Sequence, residues 1–233
     1  MSDSPQQHLI VSLDGDSLVQ AQELVELLRS DVINFEVGME IFTACGPAVV
    51  EMIRAAGGKT FLDLKYHDIP SAVAKAVVAA ARLGVAMINV HASGGMRMME
   101  ACQKAMQVIP ASTRPKLIAV TVLTSMETLG DLGIQYEIRD QVVRLAKLAR
   151  DAGMDGVLAS PLEIQPIRQS CGDDFIIMTP GIRLAGSMAY DQARIGGPRQ
   201  AIEAGADYLV VGRPITESHD PLHMVRAILK EMA

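Results

Sequence analysis

Short apolar runs of strand length alternate along the chain with longer segments whose apolar residues recur at helical spacing. In the first such segment, Leu18, Ala21, Val25 and Leu28 fall on one face of a helix. Helical patterns are clearest at residues 17–30, 72–83, 95–108, 139–152, 201–204 and 221–232. Strand-like runs occur at residues 8–14, 33–39, 60–65, 87–92, 117–123, 156–160, 175–180 and 208–212.

The order of these segments predicts the fold. Glycines that fit the C-caps of helices stand before several of the strands, at Gly58, Gly84, Gly153 and Gly205. Eight strands alternating with about eight helices is the count of a (β/α)8 barrel. We therefore predict an α/β protein with a single TIM-barrel domain over residues 1–233. A doubly wound open sheet is the structural alternative.

Composition narrows the classes of partner. Hydrophobic residues make up 49% of the chain, which suffices for a large core, and no linker of low complexity divides it. Aromatic residues are only 3% and Trp is absent, which argues against a stacking surface for single-stranded nucleic acid. The net charge of -6 leaves no basic surface for a polyanion. We expect no nucleic-acid partner.

Cysteine usage and the first residues bear on location. Cys45, Cys102 and Cys171 lie far apart and lack the spacing of metal ligands, so we interpret them as reduced thiols of an intracellular protein. Residues 1–7 are polar and are followed by no long apolar segment, which predicts neither a signal peptide nor a membrane span. The expectation is a cytoplasmic protein without a membrane partner.

One stretch concentrates charge at the end of an apolar run. Residues 61–70 read Phe-Leu-Asp-Leu-Lys-Tyr-His-Asp-Ile-Pro, and strand alternation sends Asp63 and Lys65 to the same face. Asp68 follows as the strand ends before Pro70. Charges placed side by side in a strand with an apolar opposite face are typical of an active site. A surface ion pair on a solvated edge strand is the alternative.

Polar residues close the other strands as well. The chemistry of a (β/α)8 barrel lies at the carboxyl ends of its strands, so the polar residues there become candidates. They are Asp14, Glu36, Asp63, Lys65, Asn89, His91 and the segment from Thr121 to Ser125. Parity places Glu36 on the face opposite Phe35 and Val37, and hence on the same side as Asp63. A capping role could explain Ser71 and Ser160, but not a glutamate in mid-strand.

The last two strands are followed by a different set of residues. Thr-Pro-Gly-Ile-Arg at residues 179–183 and Val-Gly-Arg at residues 211–213 combine glycines with Arg183 and Arg213. Loops seven and eight of such barrels commonly bind phosphate, with glycine allowing close approach of the backbone and arginine pairing bidentately. We predict a phosphomonoester site that includes Gly181, Gly212 and Arg213. A surface arginine that follows a glycine turn is the alternative. No Walker A, dinucleotide or zincin motif is present.

These motifs, in this order, resemble those of the orotidine 5'-monophosphate decarboxylase family along nearly the whole chain. The resemblance rests on the segments at residues 61–70, Val-Ser-Leu-Asp14, Asn89 to Gly95, Val120 to Ser125, residues 179–183, Asp191-Gln192 and residues 211–213. It implies a dimeric barrel, free of cofactor and metal, that converts orotidine monophosphate to uridine monophosphate and CO2.

The resemblance also implies roles by position. Lys65 would protonate C6 of the pyrimidine, Asp63 would press on the departing carboxylate, and Asp68 would enter the site of the neighbouring subunit. Asp14 would contact the ribose, Ser125 the pyrimidine edge, and Gln192 and Arg213 the phosphate. Further candidate substrate-binding residues are Glu36, Thr124, Arg183 and Gly212. A fixed ammonium beside a developing carbanion is consistent with this chemistry.

Two positions depart from the family pattern. The family carries Lys in the second strand where this chain has Glu36, and Asn-Thr where this chain has Ser71-Ala72. The three carboxylates Glu36, Asp63 and Asp68 together with Lys65 then have a net charge of -2. Two carboxylates about 4 Å apart repel by about 4 kcal/mol at an effective dielectric near 20, so either one takes a proton or a cation is recruited.

Glu36 is therefore also compatible with other functions. The 3-keto-L-gulonate 6-phosphate decarboxylases and hexulose-phosphate synthases look similar at this point, because they carry Glu in the second strand and use it with the aspartate to bind Mg2+. We hold three hypotheses: a decarboxylase of orotidine monophosphate, impaired by Glu36 and Ala72; a Mg2+-dependent sugar-phosphate enzyme; and a nucleotide-binding protein without activity.

Overall fold

The computed structural model describes residues 4–184 and 193–233. Eight strands lie in these residues, all parallel to their neighbours. They are β1 (Leu9–Leu13), β2 (Asn34–Gly38), β3 (Lys59–Tyr66), β4 (Met87–His91), β5 (Lys116–Val120), β6 (Gly156–Leu158), β7 (Ile176–Thr179) and β8 (Tyr208–Val211).

Helices connect the strands. They are α1 (Leu18–Leu28), α2 (Met39–Cys45), α3 (Ala48–Ala55), α4 (Pro70–Ala81), α5 (Met96–Met106), α6 (Ile138–Asp151), α7 (Ile164–Cys171), α8 (Pro198–Glu203), α9 (Arg213–Thr216) and α10 (Pro221–Met232). Short 3-10 helices occur at Pro5–Gln7, Ala92–Gly94, Gly130–Leu132 and Pro161–Glu163. None of the helices in the described residues is long and apolar enough to cross a bilayer.

The sheet closes on itself. The strands pair in sequence order from β1 to β8, and Ile10 on β1 also pairs with Val210 on β8. The predicted TIM barrel is therefore confirmed and the open doubly wound sheet is wrong. Because a closed barrel has no edge strand, the alternative of a solvated edge strand around Asp63 is also wrong.

Two apolar cores hold the barrel together. The larger one lies between strands and helices and includes Phe35, Val37 and Leu62. The smaller one fills the barrel interior with Ile10, Phe61, Met87, Ile118, Val120, Leu158, Met178 and Val210. Successive residues of each strand thus serve opposite faces, as parity predicts. Glu36 accordingly points away from the helices.

Some local predictions were wrong or incomplete. Ser71 does not cap a helix, since α4 begins at Pro70 and its N-cap is Ile69. Ser160 does cap the 3-10 helix Pro161–Glu163, and its hydroxyl accepts a hydrogen bond from the Leu162 N–H at 3.3 Å. The helix predicted at 201–204 begins earlier, because Pro198 can occupy a first turn without needing a donor.

Candidate active site

The carboxyl ends of the strands enclose a cavity of about 260 Å³. Nine of the eleven predicted site residues line it: Asp14, Glu36, Asp63, Lys65, Thr124, Ser125, Arg183, Gly212 and Arg213. The cavity lies at the end of the barrel where this fold carries its chemistry. Parallel strands explain how residues as distant in sequence as Asp14 and Arg213 reach one place.

Asp68 and Gln192 are the two exceptions. Asp68 lies on the exposed segment between β3 and α4, where its Oδ1 accepts a hydrogen bond from the Ile69 N–H at 2.5 Å. It is not among the residues that line the cavity of its own barrel. Gln192 lies outside the described residues.

Asp63 and Lys65 form an ion pair in the cavity. Lys65 Nζ donates to Asp63 Oδ2, and the Asp63 side chain is only 8% exposed. The other carboxylate oxygen of Asp63, Oδ1, accepts from Asn89 Nδ2. Both oxygens of Asp63 are therefore engaged, and the ammonium of Lys65 is held by the carboxylate beside it. An ion pair withdrawn from water in this way interacts more strongly than one at the surface.

Lys65 lies in an irregular part of β3. Strand alternation alone predicts its direction, but the register with β4 shifts between Leu62, which pairs with Ile88, and Tyr66, which pairs with Val90. Lys65 has φ = 48°, in the left-handed region that side chains other than glycine rarely adopt. Local backbone strain of this kind concentrates at functional sites.

Glu36 is a buried carboxyl group on the cavity wall. It is 8% exposed, and its Oε1 accepts a hydrogen bond of 2.6 Å from Ser12 Oγ, on the adjacent strand β1. Loss of water on burial and the negative charge of Asp63 raise the pKa of Glu36 to about 8. Glu36 therefore holds a proton at neutral pH, which is one of the two outcomes expected from the excess of negative charge.

Asp14 and Gly212 meet where β1 and β8 end. A Cβ atom on residue 212 would lie 2.9 Å from Asp14 Oδ2, so a side chain there would displace the Asp14 carboxylate, which glycine leaves in place. Loss of solvent around the Asp14 carboxyl raises its pKa, and a hydrogen bond of 3.1 Å from Thr216 Oγ1 opposes this shift. This corner of the cavity joins a carboxylate to the glycine-arginine turn that the sequence marks as a phosphate site.

His67 and His91 lie next to the ion pair. Their rings pack at a centroid distance of 5.3 Å, with an interplanar angle of 34°. Burial lowers the pKa of His91, and the nearby His67 and Lys65 lower it further. His91 is therefore neutral at physiological pH and adds no positive charge to the cavity.

A second buried polar network supports the loops that follow β5 and β6. Arg194 Nη1 donates to Glu163 Oε1 at 2.6 Å, and Ser160 Oγ donates to Glu163 Oε2 at 2.5 Å. Arg194 Nη2 also donates to the backbone carbonyls of Val122 at 3.2 Å and Leu123 at 3.0 Å. The network ties the segment after β6 to the loop that carries Thr124 and Ser125.

Sequence reasoning missed three of these features. Ser12 was not singled out, although it lies two residues before Asp14 and so on the same face of β1. Asn89 was marked only as a polar residue late in a strand, without a partner. The pairing of Glu163 with Arg194 left no signal, because it depends on the path of the intervening loops.

The two candidate Mg2+ ligands, Glu36 and Asp63, already have other partners. Lys65 Nζ already contacts Asp63, and Glu36 accepts from Ser12. In residues 4–184 and 193–233, no group of three or more His, Cys, Asp or Glu side chains is arranged to hold a metal ion. A Mg2+ ion here would therefore have fewer than three such ligands from the described residues, and it would take its remaining oxygen ligands from water or substrate.

The strands form a closed barrel, and a buried carboxylate-ammonium pair lies in the cavity at their carboxyl ends. These two features place the chain in the class of (β/α)8-barrel enzymes. Comparison with known proteins identifies the family within that class. The model of the orotidine 5'-phosphate decarboxylase / HUMPS family matches residues 7–228, and the chain belongs to this family.

Relatives of similar length support the assignment. The orotidine 5'-phosphate decarboxylase of Pelobacter propionicus is 50% identical over 232 residues, which cover 99% of this chain and 97% of that protein. The protein of the same name from Moorella thermoacetica is 49% identical over 96% of this chain and 91% of its own length.

Solved structures have the same fold. The crystal structure of orotidine 5'-phosphate decarboxylase from Lactobacillus acidophilus superposes with a TM-score of 0.85 at 39% identity, covering 97% of this chain and 98% of that one. An uncharacterized conserved protein from Geobacillus kaustophilus gives a TM-score of 0.84 at 35% identity, with 97% and 100% coverage.

Proposed function

We infer that this chain catalyses the decarboxylation of orotidine 5'-phosphate to uridine 5'-phosphate and carbon dioxide, a step of pyrimidine synthesis. The observation that carries this inference is the Asp63-Lys65 ion pair in the cavity. It occurs in a chain that is half identical, over nearly its full length, to proteins named for this activity.

The two charged groups divide the chemistry between them. The bond between C6 and the carboxylate breaks, its electron pair stays on C6, and carbon dioxide leaves. Lys65 Nζ stabilises the developing negative charge and then donates a proton to C6, after which solvent reprotonates the amine. Asp63, held by Lys65 and Asn89, places a negative charge beside the substrate carboxylate and so favours its departure. No cofactor is required for these steps.

The remaining predicted residues bind the substrate in this proposal. Thr124 and Ser125 meet the pyrimidine, Asp14 and Glu36 the ribose, and Arg183, Gln192, Gly212 and Arg213 the phosphate. Charge-assisted pairing with arginine makes Arg213 the main source of phosphate affinity. Arg213→Ala is expected to weaken uridine 5'-phosphate binding at least tenfold and to leave uridine binding unchanged in calorimetry. Equal losses for both ligands would place the phosphate elsewhere.

Asp68 is proposed to complete the site of a partner subunit in a homodimer. Its exposed position and its absence from the cavity of its own barrel support this placement. Ile69 beside it is 66% exposed, as expected for an apolar residue that a partner would cover.

Subunit complementation tests the dimer directly. Lys65→Ala and Asp68→Ala should each be inactive as homodimers. Random mixing after reversible unfolding should recover about a quarter of the wild-type sites, because half of the dimers then contain one site with both residues intact. If the mixture stays as inactive as its components, Asp68 acts within its own subunit or not at all.

The function itself is tested by comparing two substrates with and without metal. The chain should release carbon dioxide from orotidine 5'-phosphate in the presence of EDTA, with no gain on adding Mg2+. It should not turn over 3-keto-L-gulonate 6-phosphate under either condition. Activity on the sugar phosphate that requires Mg2+, together with calorimetric Mg2+ binding lost in Glu36→Lys, would overturn the proposal. Tight binding of uridine 5'-phosphate without any turnover would indicate a protein that only binds nucleotide.

A further inference from the structure

Asn89 connects the two reacting residues without lining the cavity itself. It lies on β4, next to β3, and is completely buried. Its Oδ1 accepts a hydrogen bond of 2.8 Å from the backbone N–H of Lys65, and its Nδ2 donates to Asp63 Oδ1. One amide therefore touches the main chain of the lysine and the carboxylate of the aspartate.

Both contacts fix which way the amide points. A backbone N–H needs an acceptor, which only Oδ1 can supply, and a carboxylate oxygen needs a donor, which only Nδ2 can supply. The reversed amide would place donor against donor at Lys65 and acceptor against acceptor at Asp63. The orientation of Asn89 is thus set by the pair that it holds.

The irregularity of β3 explains why a side chain is needed here. Four steps along β3, from Leu62 to Tyr66, match only two along β4, from Ile88 to Val90. The Lys65 N–H lies within this bulge, where it bonds to the Asn89 side chain. At φ = 48°, Lys65 also carries the one positive φ among the described residues that are not glycine. A strained conformation persists only where its surroundings determine it fully.

We propose that Asn89 is a positioning residue for decarboxylation, which holds the Asp63 carboxylate and the Lys65 backbone in one geometry so that the lysine ammonium faces C6 of the substrate. The role rests on the proposed function. Asn89 does not touch the substrate, so its loss affects the chemical step far more than binding.

Asn89→Leu tests both contacts, because leucine has the same branched arrangement of heavy atoms but neither a donor nor an acceptor. We expect kcat to fall about a hundredfold, equivalent to about 2.7 kcal/mol of transition-state stabilisation, while the Kd for uridine 5'-phosphate changes less than threefold. Hydrogen exchange at the Lys65 amide, followed by NMR, should become faster as its acceptor is lost.

Asn89→Asp separates the two contacts. The variant keeps an oxygen acceptor for the Lys65 N–H but replaces the donor to Asp63 with a second carboxylate. Protection of the Lys65 amide should remain, whereas kcat should fall as far as in Asn89→Leu. This variant also provides a test if the leucine variant folds poorly.

Asn34→Leu is the matched control. Asn34 is likewise a buried asparagine on a barrel strand, with its Nδ2 donating to the Gln7 carbonyl at 2.9 Å, but it lies at the amino end of β2. We expect it to lower stability as Asn89→Leu does and to leave kcat within threefold of wild type.

Each outcome decides one claim. Equal effects of Asn34→Leu and Asn89→Leu on kcat, or unchanged exchange at the Lys65 amide in Asn89→Leu, would overturn the positioning role. A wild-type chain that does not decarboxylate orotidine 5'-phosphate would instead overturn the proposed function, and the positioning role with it.

Discussion

Glu36 and Glu163 are both buried glutamates that accept a short hydrogen bond from a serine hydroxyl, 2.6 Å from Ser12 and 2.5 Å from Ser160. Their charge environments differ. Glu163 is paired with Arg194, whereas no basic side chain in the described residues forms an ion pair with Glu36. Glu36 instead faces Asp63, and its pKa is raised to about 8.

The difference separates a structural carboxylate from one in a reaction cavity. A buried charge that only supports loops is neutralised by a partner, as Arg194 neutralises Glu163. A carboxyl group on a cavity wall without such a partner lowers stability when it ionises, and its pKa is therefore shifted. Groups with shifted pKa values in cavities concentrate at functional sites. The comparison can be tested from both sides.

Removing the partner of Glu163 should have the largest effect on stability. Arg194→Met leaves a buried carboxylate without its cation and two carbonyls without their donor, and should lower the free energy of unfolding by about 3 to 5 kcal/mol. Urea unfolding of the variant and the wild type measures this difference in the free energy of unfolding. Arg226→Met is the control, because Arg226 pairs with Asp31 at the surface, where such a change costs at most about 1 kcal/mol. Equal losses in the two variants would contradict the structural role.

The pH dependence of stability should report on Glu36. Its pKa is about 8 in the folded protein against an ordinary value of 4.5, so the folded state binds the proton more tightly. Unfolding then releases this proton between pH 4.5 and 8, and stability falls as pH rises through that window.

Glu36→Gln should remove this dependence. The free energy of unfolding of the wild type, relative to the variant, should fall on the order of 4 kcal/mol from pH 4.5 to pH 9. A difference that is constant with pH would show that Glu36 ionises normally.

A lysine at position 36 should raise activity. Glu36→Lys exchanges an acid for an ammonium beside Asp63 and removes the excess of negative charge. We expect decarboxylation of orotidine 5'-phosphate in EDTA to rise about a hundredfold, equivalent to about 2.7 kcal/mol. Glu36→Gln separates loss of the acid from gain of the cation and should give a smaller increase. No increase with lysine would mean that the wild-type site is already adapted to glutamate.

The fold could be predicted from the sequence because each strand is a short apolar run that lies between segments with helical spacing of apolar residues. All eight strands were predicted to within a few residues. The helices α2, α3, α7 and α9 were not predicted, and each has at most eight residues. In α2 only Ile41 is buried, so no periodic apolar face is visible.

The candidate site was predictable where it follows from strand parity and not where it depends on register. Parity placed Glu36 and Asp63 in the cavity, and both line it. The bulge at Lys65 and the two contacts of Asn89 depend on how β3 pairs with β4, which a single sequence does not reveal. The Glu163-Arg194 pair spans 31 positions and two loops, beyond the reach of local patterns.

The central claim is that Lys65 carries the chemical step. The most direct measurement is the decarboxylation rate of Lys65→Ala at saturating orotidine 5'-phosphate, compared with Lys116→Ala, whose lysine pairs with Asp155 at the opposite end of the barrel. We predict a loss of roughly a thousandfold or more for Lys65→Ala and a rate near wild type for Lys116→Ala. A Lys65→Ala variant that retains its rate within tenfold would contradict the account.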